Sequence, residues 1–269
     1  MAHDPTAVLA DFGERTFTHD DTTRRVFTAG TGPAVVVMAE MPGITPAAVD
    51  FARRVVRLGC SVWMPDLFGV AGQPPGPMAF ARALPPACVA RDFAAFATGT
   101  TSPVVGWLRA LAAEAHAQCG GPGVGAVGMC FTGGFALGMM VDDRMLAPVL
   151  SQPSLPVVLP WRKHNAADVG LSPQDLAVVR DRVAQGACVL GLRFTGDRLV
   201  PAERFASLAT ELGDGFIAVE IDSSPGNPHG IGPRAHSVLT EDLVDEPGHP
   251  TREALDQVLE FLRTRLLDG

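Results

Sequence analysis

The sequence has no tyrosine, and only five of its 269 residues are cysteine. The cysteine pattern is informative. Cys60, Cys88, Cys119, Cys130 and Cys188 are widely spaced and odd in number, and no Cys-x-x-Cys pair occurs. That pattern suggests neither a disulfide framework nor a zinc site. The expected setting is a reducing cytoplasm, where a cysteine is either a small core hydrophobe or a reactive thiol. Blocks of basic residues are missing too, and the formal net charge is −8. Nucleic acid and anionic membranes are therefore disfavoured as partners. The start, MAHDPTAVLADFGERT, lacks the basic and apolar stretches of a signal peptide. No apolar run is long enough to span a bilayer.

What is present is an ordinary globular composition, 47% hydrophobic and 19% charged. The length suits a single α/β domain spanning residues 1–269. Apolar runs alternate with helical patterns. Ala34 to Ala39 reads as a buried strand. Pro46 to Leu58 reads as a helix, with Thr45 as N-cap, Pro46 at its first position and Gly59 closing it. Cys60 to Met64 is the next strand. A Gly- and Pro-rich loop is expected from Leu67 to Pro86, then a helix from Cys88 to Ala97, so residues 67–100 form a loop or cap insertion. A helix opens at Ser102-Pro103 and runs to about Gln118.

Further on, the expected strands are Val124–Val127, Leu146–Leu150, Ala187–Phe194 and Phe216–Ile221. The expected helices are Phe131–Met140, Pro173–Gln185 and Pro201–Leu212. A long polar loop from Asp222 to Pro250 precedes a final helix whose apolar stripe is Ala254, Val258, Phe261, Leu262 and Leu266. Such alternation argues for a mostly parallel sheet with helices on both faces. Polar–apolar alternation from Phe12 to Phe27 suits antiparallel edge strands ahead of it.

In an open parallel sheet, ligands sit at the carboxyl ends of the strands. The stretch GVGAVGMCFTGGFALGMM, from Gly123 to Met140, places Cys130 where a strand turns sharply into a helix. A nucleophile on such a turn needs small neighbours, which Gly128 and Gly133 provide. The following helix aims free N–H groups and its positive end at the thiol, favouring the thiolate, which is the attacking species. The Phe131 N–H is a candidate oxyanion donor. A nucleophile also needs a base and an orienting acid, in the order nucleophile, acid, histidine. Asp197 follows the strand Ala187–Phe194, and His236 lies in the loop after the next strand. Asp222 and His229 are their competitors.

Here the residues carry a family resemblance. Gly128-Met129-Cys130-Phe131-Thr132-Gly133-Gly134 resembles the cysteine elbow of the dienelactone hydrolases, a branch of the α/β-hydrolase superfamily. Ala39-Glu40-Met41-Pro42-Gly43, Met64-Pro65-Asp66-Leu67-Phe68, Thr195-Gly196-Asp197 and Ala235-His236-Ser237 are similar to that family as well. The resemblance implies an α/β-hydrolase fold with Cys130 as nucleophile, His236 as base and Asp197 as its orienter. It implies that Glu40 contacts the resting thiol and that Met41 supplies a second oxyanion N–H. One departure is Thr132, where the family usually has glycine. A Cβ there either crowds the strand–helix contact or its hydroxyl takes a local role. The family's carboxylate-binding arginines have no clear counterpart; Arg82, Arg91 and Arg234 are candidates by location. Ser151, Gln152 and Ser154 are pocket residues or ordinary turn residues.

The resulting expectation is a hydrolase that cleaves a carboxylic ester or lactone through a thioester acyl-enzyme. It needs no metal or organic cofactor, and its partner is a small-molecule substrate. Two other readings stay open: an acyltransferase or cyclase on the same elbow, and a degenerate hydrolase that binds a ligand or senses thiol chemistry. The oligomeric state is not readable.

Overall fold

The structure, a computed structural model, describes residues 5–158, 161 and 163–268. Its strands are β1 (Gly13–His19), β2 (Thr22–Ala29), β3 (Ala34–Met38), β4 (Ser61–Pro65), β5 (Val124–Met129), β6 (Met145–Ser151), β7 (Val189–Phe194) and β8 (Phe216–Ile221). Its helices are α1 (Pro5–Val8), α2 (Pro46–Leu58), α3 (Pro77–Val89), α4 (Val104–Cys119), α5 (Phe135–Met139), α6 (Pro173–Ala184), α7 (Ala202–Leu212) and α8 (Pro250–Leu266).

The strands form one sheet in the order β1-β2-β4-β3-β5-β6-β7-β8. The hairpin β1–β2 is antiparallel, β2 runs antiparallel to β4, and the other pairs are parallel. The chain runs from β3 to β4 on one side, then crosses back to place β5 on the other side of β3. That reversal makes the carboxyl ends of β3 and β5 the topological switch point, the place where open α/β sheets bind ligands. Glu40 and Met41 follow β3, and Cys130 follows β5.

Period-2 alternation divides the core. Val36 and Met38 join Trp63, Leu108, Leu111 and Leu137 on the face covered by α4 and α5. Val35 and Val37 join Phe51, Val55, Val258 and Leu262 on the face covered by α2 and α8. All five β3 residues are buried, as expected of a strand covered on both faces.

Helix α2 has the expected bounds. The Thr45 hydroxyl accepts from the Ala48 N–H at 3.3 Å, and Gly59 closes the helix at φ 104°. Such an N-cap contributes about 1 kcal/mol. In α8 the buried stripe includes Leu255, while Phe261 is only partly buried and packs at its margin.

Two expectations are corrected. The expected loop from Leu67 ends at Gly76; Pro77–Val89, expected as loop to Pro86 and helix from Cys88, is the helix α3, followed by a 3₁₀ turn at Arg91–Phe93. Pro85 and Pro86 lie inside α3 and leave the Ala81 and Arg82 carbonyls without their helical donors. Both residues are exposed, so water can serve those carbonyls. The helix expected over Phe131–Met140 is a 3₁₀ turn at Cys130–Thr132, two glycines, and the five-residue α5. No helix among the described residues is long and apolar enough to cross a membrane.

Candidate active site

Cys130 leaves β5 at φ +52°, in the left-handed region. A non-glycine residue held there costs about 1–2 kcal/mol, which neighbouring contacts must offset. The Cys130 carbonyl accepts from the Gly133 N–H at 2.9 Å and from the Ser154 N–H at 3.0 Å. Thr132, fully buried, supplies the rest. Its hydroxyl accepts from the Met129 N–H at 2.9 Å and donates to the Met38 carbonyl at 2.8 Å. The threonine thus binds the turn to the end of β3.

The small neighbours are obligatory. A Cβ on Gly128 would lie 2.3 Å from the Thr132 carbonyl oxygen, and one on Gly133 would lie 2.6 Å from Pro153 Cα. The five residues of α5 build little macrodipole, so the helix itself does little for the thiol. Within the turn the Thr132 N–H donates to the Met129 side chain and the Gly133 N–H to the Cys130 carbonyl, which leaves the Phe131 N–H as the unengaged donor among the described residues.

His236 and Asp197 meet at 2.6 Å, Nδ1 to Oδ2. The second Asp197 oxygen accepts from the Leu199 N–H at 2.9 Å. The competitors lie elsewhere. Asp222 is exposed and accepts from the Ser224 N–H, and the His229 ring packs edge-on against His249 at 5.5 Å. Nε2 of His236 is buried and makes no hydrogen bond among the described residues. A nitrogen of that ring, Cys130 Sγ and a Glu40 carboxylate oxygen all lie within 4.8 Å of one another. Nδ1 is taken by Asp197, so Nε2 is the nitrogen free to serve the thiol. Burial favours the neutral ring, but the charge of a Cys130 thiolate and the bond to Asp197 outweigh it and push His236 up to about 11. These three side chains are also the one compact trio of metal-ligating donors among the described residues.

Glu40, only 2% exposed, accepts from Ser237 Oγ at 2.7 Å, from Gln152 Nε2 at 3.4 Å, and from the Thr240 hydroxyl. Burial raises its pKa against the opposing pull of the Thr240 and Ser237 hydrogen bonds. Ser237 and Thr240 follow His236 in one loop, so Glu40 fastens that loop to β3. Ser237 was legible only as part of the Ala235-His236-Ser237 motif, with no role of its own, and Thr240 carried no signal in the sequence.

The oxyanion candidates occupy the two strand ends. Phe131 follows Cys130, and its ring packs edge-on against Phe68 and Phe93 at 5.8 and 5.5 Å. Met41 is buried beside Glu40. The expected substrate contacts fare less well. Ser151 and Gln152 are fully buried, bonded to each other and, through Gln152, to Glu40, so they support the carboxylate rather than line a cleft. Arg82 is exposed and lines a crevice with Pro42, Gly43 and Val70. Arg91 is exposed, and its side chain makes no hydrogen bond or ion pair among the described residues. A cleft of about 360 Å³ is instead lined by Asp197, Arg198, Leu199, Pro233, Arg234 and His236. Arg198 was missed, although it directly follows Asp197. A larger hollow, about 510 Å³, lies beside Leu190, Ile217 and Phe261, and no candidate residue lines it.

The sheet order and the strained strand–cysteine–turn define an α/β hydrolase. The chain belongs to the dienelactone hydrolase family, whose sequence model matches residues 24–266. It is accordingly a carboxylic ester hydrolase by class. Similar solved structures share the fold at low identity. A protein described as a dienelactone hydrolase from Klebsiella pneumoniae is 16% identical, with TM-score 0.63, covering 93% of this chain and 97% of its own. The α/β hydrolase GrgF from a Penicillium species is 13% identical, with TM-score 0.59, covering 95% and 99%. A cold-adapted esterase from an Arctic intertidal metagenomic library is 17% identical, with TM-score 0.51, covering 95% of each chain. No curated protein sequence matches this chain.

Proposed function

We propose that the protein hydrolyses a small carboxylic ester or lactone by transferring the acyl group to Cys130. His236 takes the thiol proton, directly or after Glu40 has received it. The thiolate attacks the carbonyl carbon, and the N–H groups of Phe131 and Met41 hold the developing oxyanion. The tetrahedral intermediate collapses to a thioester, and the leaving alkoxide takes the proton from His236. His236 then draws a proton from water, the hydroxide adds to the thioester, and the acid departs with the thiolate restored.

The observation that carries this reading is the alignment of three groups. Asp197 holds one nitrogen of His236 at 2.6 Å, and the other ring nitrogen stands free beside a cysteine held at positive φ. A thiolate is a soft nucleophile and a good leaving group, so activated esters and enol lactones suit it better than amides. The cleft beside His236, with the exposed guanidinium groups of Arg198 and Arg234, favours a substrate bearing an anionic group. Thr132 has found a structural role, which removes one ground for reading the chain as a degenerate hydrolase. An acyltransferase would share every step up to the thioester. The test is turnover of p-nitrophenyl acetate by wild type, Cys130→Ala and His236→Ala. Loss in both variants supports the reading, and retained turnover in Cys130→Ala overturns it.

A further inference from the structure

The nucleophile has a neighbour that the triad does not use. Ser154 lies three residues past the end of β6, in a loop facing the turn after β5. Its hydroxyl is 3.6 Å from Cys130 Sγ, within reach of a hydrogen bond to sulfur, and this is its sole hydrogen-bond partner among the described residues. Its backbone N–H donates to the Cys130 carbonyl at 3.0 Å, so the serine and the cysteine are tied together by main chain as well. Ser154 is largely buried, which strengthens a hydrogen bond to a charged partner.

The loop is held from behind by a buried cation. Arg204, on α7, is 1% exposed. Its guanidinium donates to the carbonyls of Pro153 (2.8 Å), Pro156 (2.7 Å), Asn165 (2.9 Å) and Asp168 (2.9 Å). An arginine desolvated to satisfy backbone carbonyls is an expensive arrangement, and burial pulls its pKa down to about 10. What the arrangement fixes is the backbone immediately before Ser154. On its other side, Pro153 packs so closely against Gly133 that no Cβ fits between them.

We propose that Ser154 is a further catalytic residue, whose hydroxyl donates a hydrogen bond to the Cys130 thiolate, and that Arg204 positions it. The inference rests on Cys130 being the nucleophile. The hydroxyl keeps its own proton throughout. It stabilises the negative sulfur in the free enzyme, loses that partner when the sulfur is acylated, and regains it as the thiolate is expelled on hydrolysis. Phe131 and Met41 serve the substrate oxygen; Ser154 serves the sulfur.

The test is the pH dependence of iodoacetamide alkylation at Cys130, mapped by mass spectrometry, with no substrate present. In Ser154→Ala the midpoint of the alkylation curve should rise by about one pH unit, the equivalent of one lost hydrogen bond to a charge. Ser154→Thr, which keeps the hydroxyl, should stay near wild type. Arg204→Lys cannot reach all four carbonyls and should shift the midpoint in the same direction as Ser154→Ala. Equal midpoints for wild type and Ser154→Ala, with a shifted midpoint in His236→Ala, would overturn the role of Ser154 alone. If His236→Ala also leaves the curve unmoved, Cys130 is not an activated thiol, and the reading beneath the inference fails with it.

Discussion

The Thr132 hydroxyl donates to the Met38 carbonyl at 2.8 Å while accepting from the Met129 N–H at 2.9 Å, joining the Cys130 turn to the strand that leads to Glu40. In the proposed mechanism the Cys130 sulfur and the Met41 N–H converge on the substrate carbonyl, and this one side chain ties together the two segments that carry them. Thr132→Val keeps the shape and deletes both bonds, leaving a buried donor and a buried acceptor unpaired. It should cost about 1–3 kcal/mol in chemical denaturation and reduce turnover. Thr132→Ser keeps the hydroxyl and should lose less than about 1 kcal/mol. Equal stability for the two variants would show that the hydroxyl does not hold the turn.

Cys130 itself should be a strained position. Cys130→Ala retains a Cβ at φ +52°, whereas Cys130→Gly relieves it. Both remove the sulfur, so the comparison isolates the backbone. The glycine variant should be the more stable by about 0.5–1 kcal/mol, measured by urea unfolding. A less stable glycine variant would mean the turn carries no strain.

Glu40 sets stability against activity. Burial raises its pKa above the ordinary 4.5. The folded protein therefore holds a proton on Glu40 to higher pH than the unfolded chain does, and stability from this group is full below pH 4.5 and is lost as pH rises through the folded value. Glu40→Gln abolishes that decline. It should melt with wild type near pH 4 and several degrees above it at pH 8, while losing roughly 100-fold in kcat/KM if Glu40 assists proton transfer. A melting difference that is the same at both pH values would contradict the assignment.

The protonation of His236 depends on its neighbours. Burial opposes the charged ring, and the Cys130 charge with Asp197 overrides it. In NMR spectra of the His236 ring, the wild type should remain protonated at pH 8. In Cys130→Ala the sulfur charge is gone and burial regains weight, so the ring should lose its proton at lower pH. Identical titrations in the two proteins would show that no thiolate–imidazolium pair forms.

Much of this was legible in the sequence because the physics is local. Thr45, Pro46 and Gly59 mark both ends of α2, and the Val-rich run of β3 announces a doubly covered strand. Cys130 stands out because Gly128 and Gly133 flank it at the end of a strand, where no Cβ fits. The misread parts depend on contacts made far away in the chain. Nothing local shows that Pro85 and Pro86 fall on the exposed side of a helix. The Thr132 hydroxyl finds its acceptor on Met38, and Ser154 reaches Cys130 only through the pairing of β5 with β6. Ser151 and Gln152 were placed at the correct edge of the sheet. Their burial, and the use of Gln152 as a Glu40 partner, come from packing that no spacing encodes.

The most direct test of the account is intact-protein mass spectrometry on samples quenched during p-nitrophenyl acetate turnover. The account predicts a transient acetyl adduct that maps to Cys130, decays as hydrolysis completes, and is absent from Cys130→Ala along with turnover. Sustained hydrolysis with no adduct on Cys130, or an adduct on another residue that survives in Cys130→Ala, would contradict it.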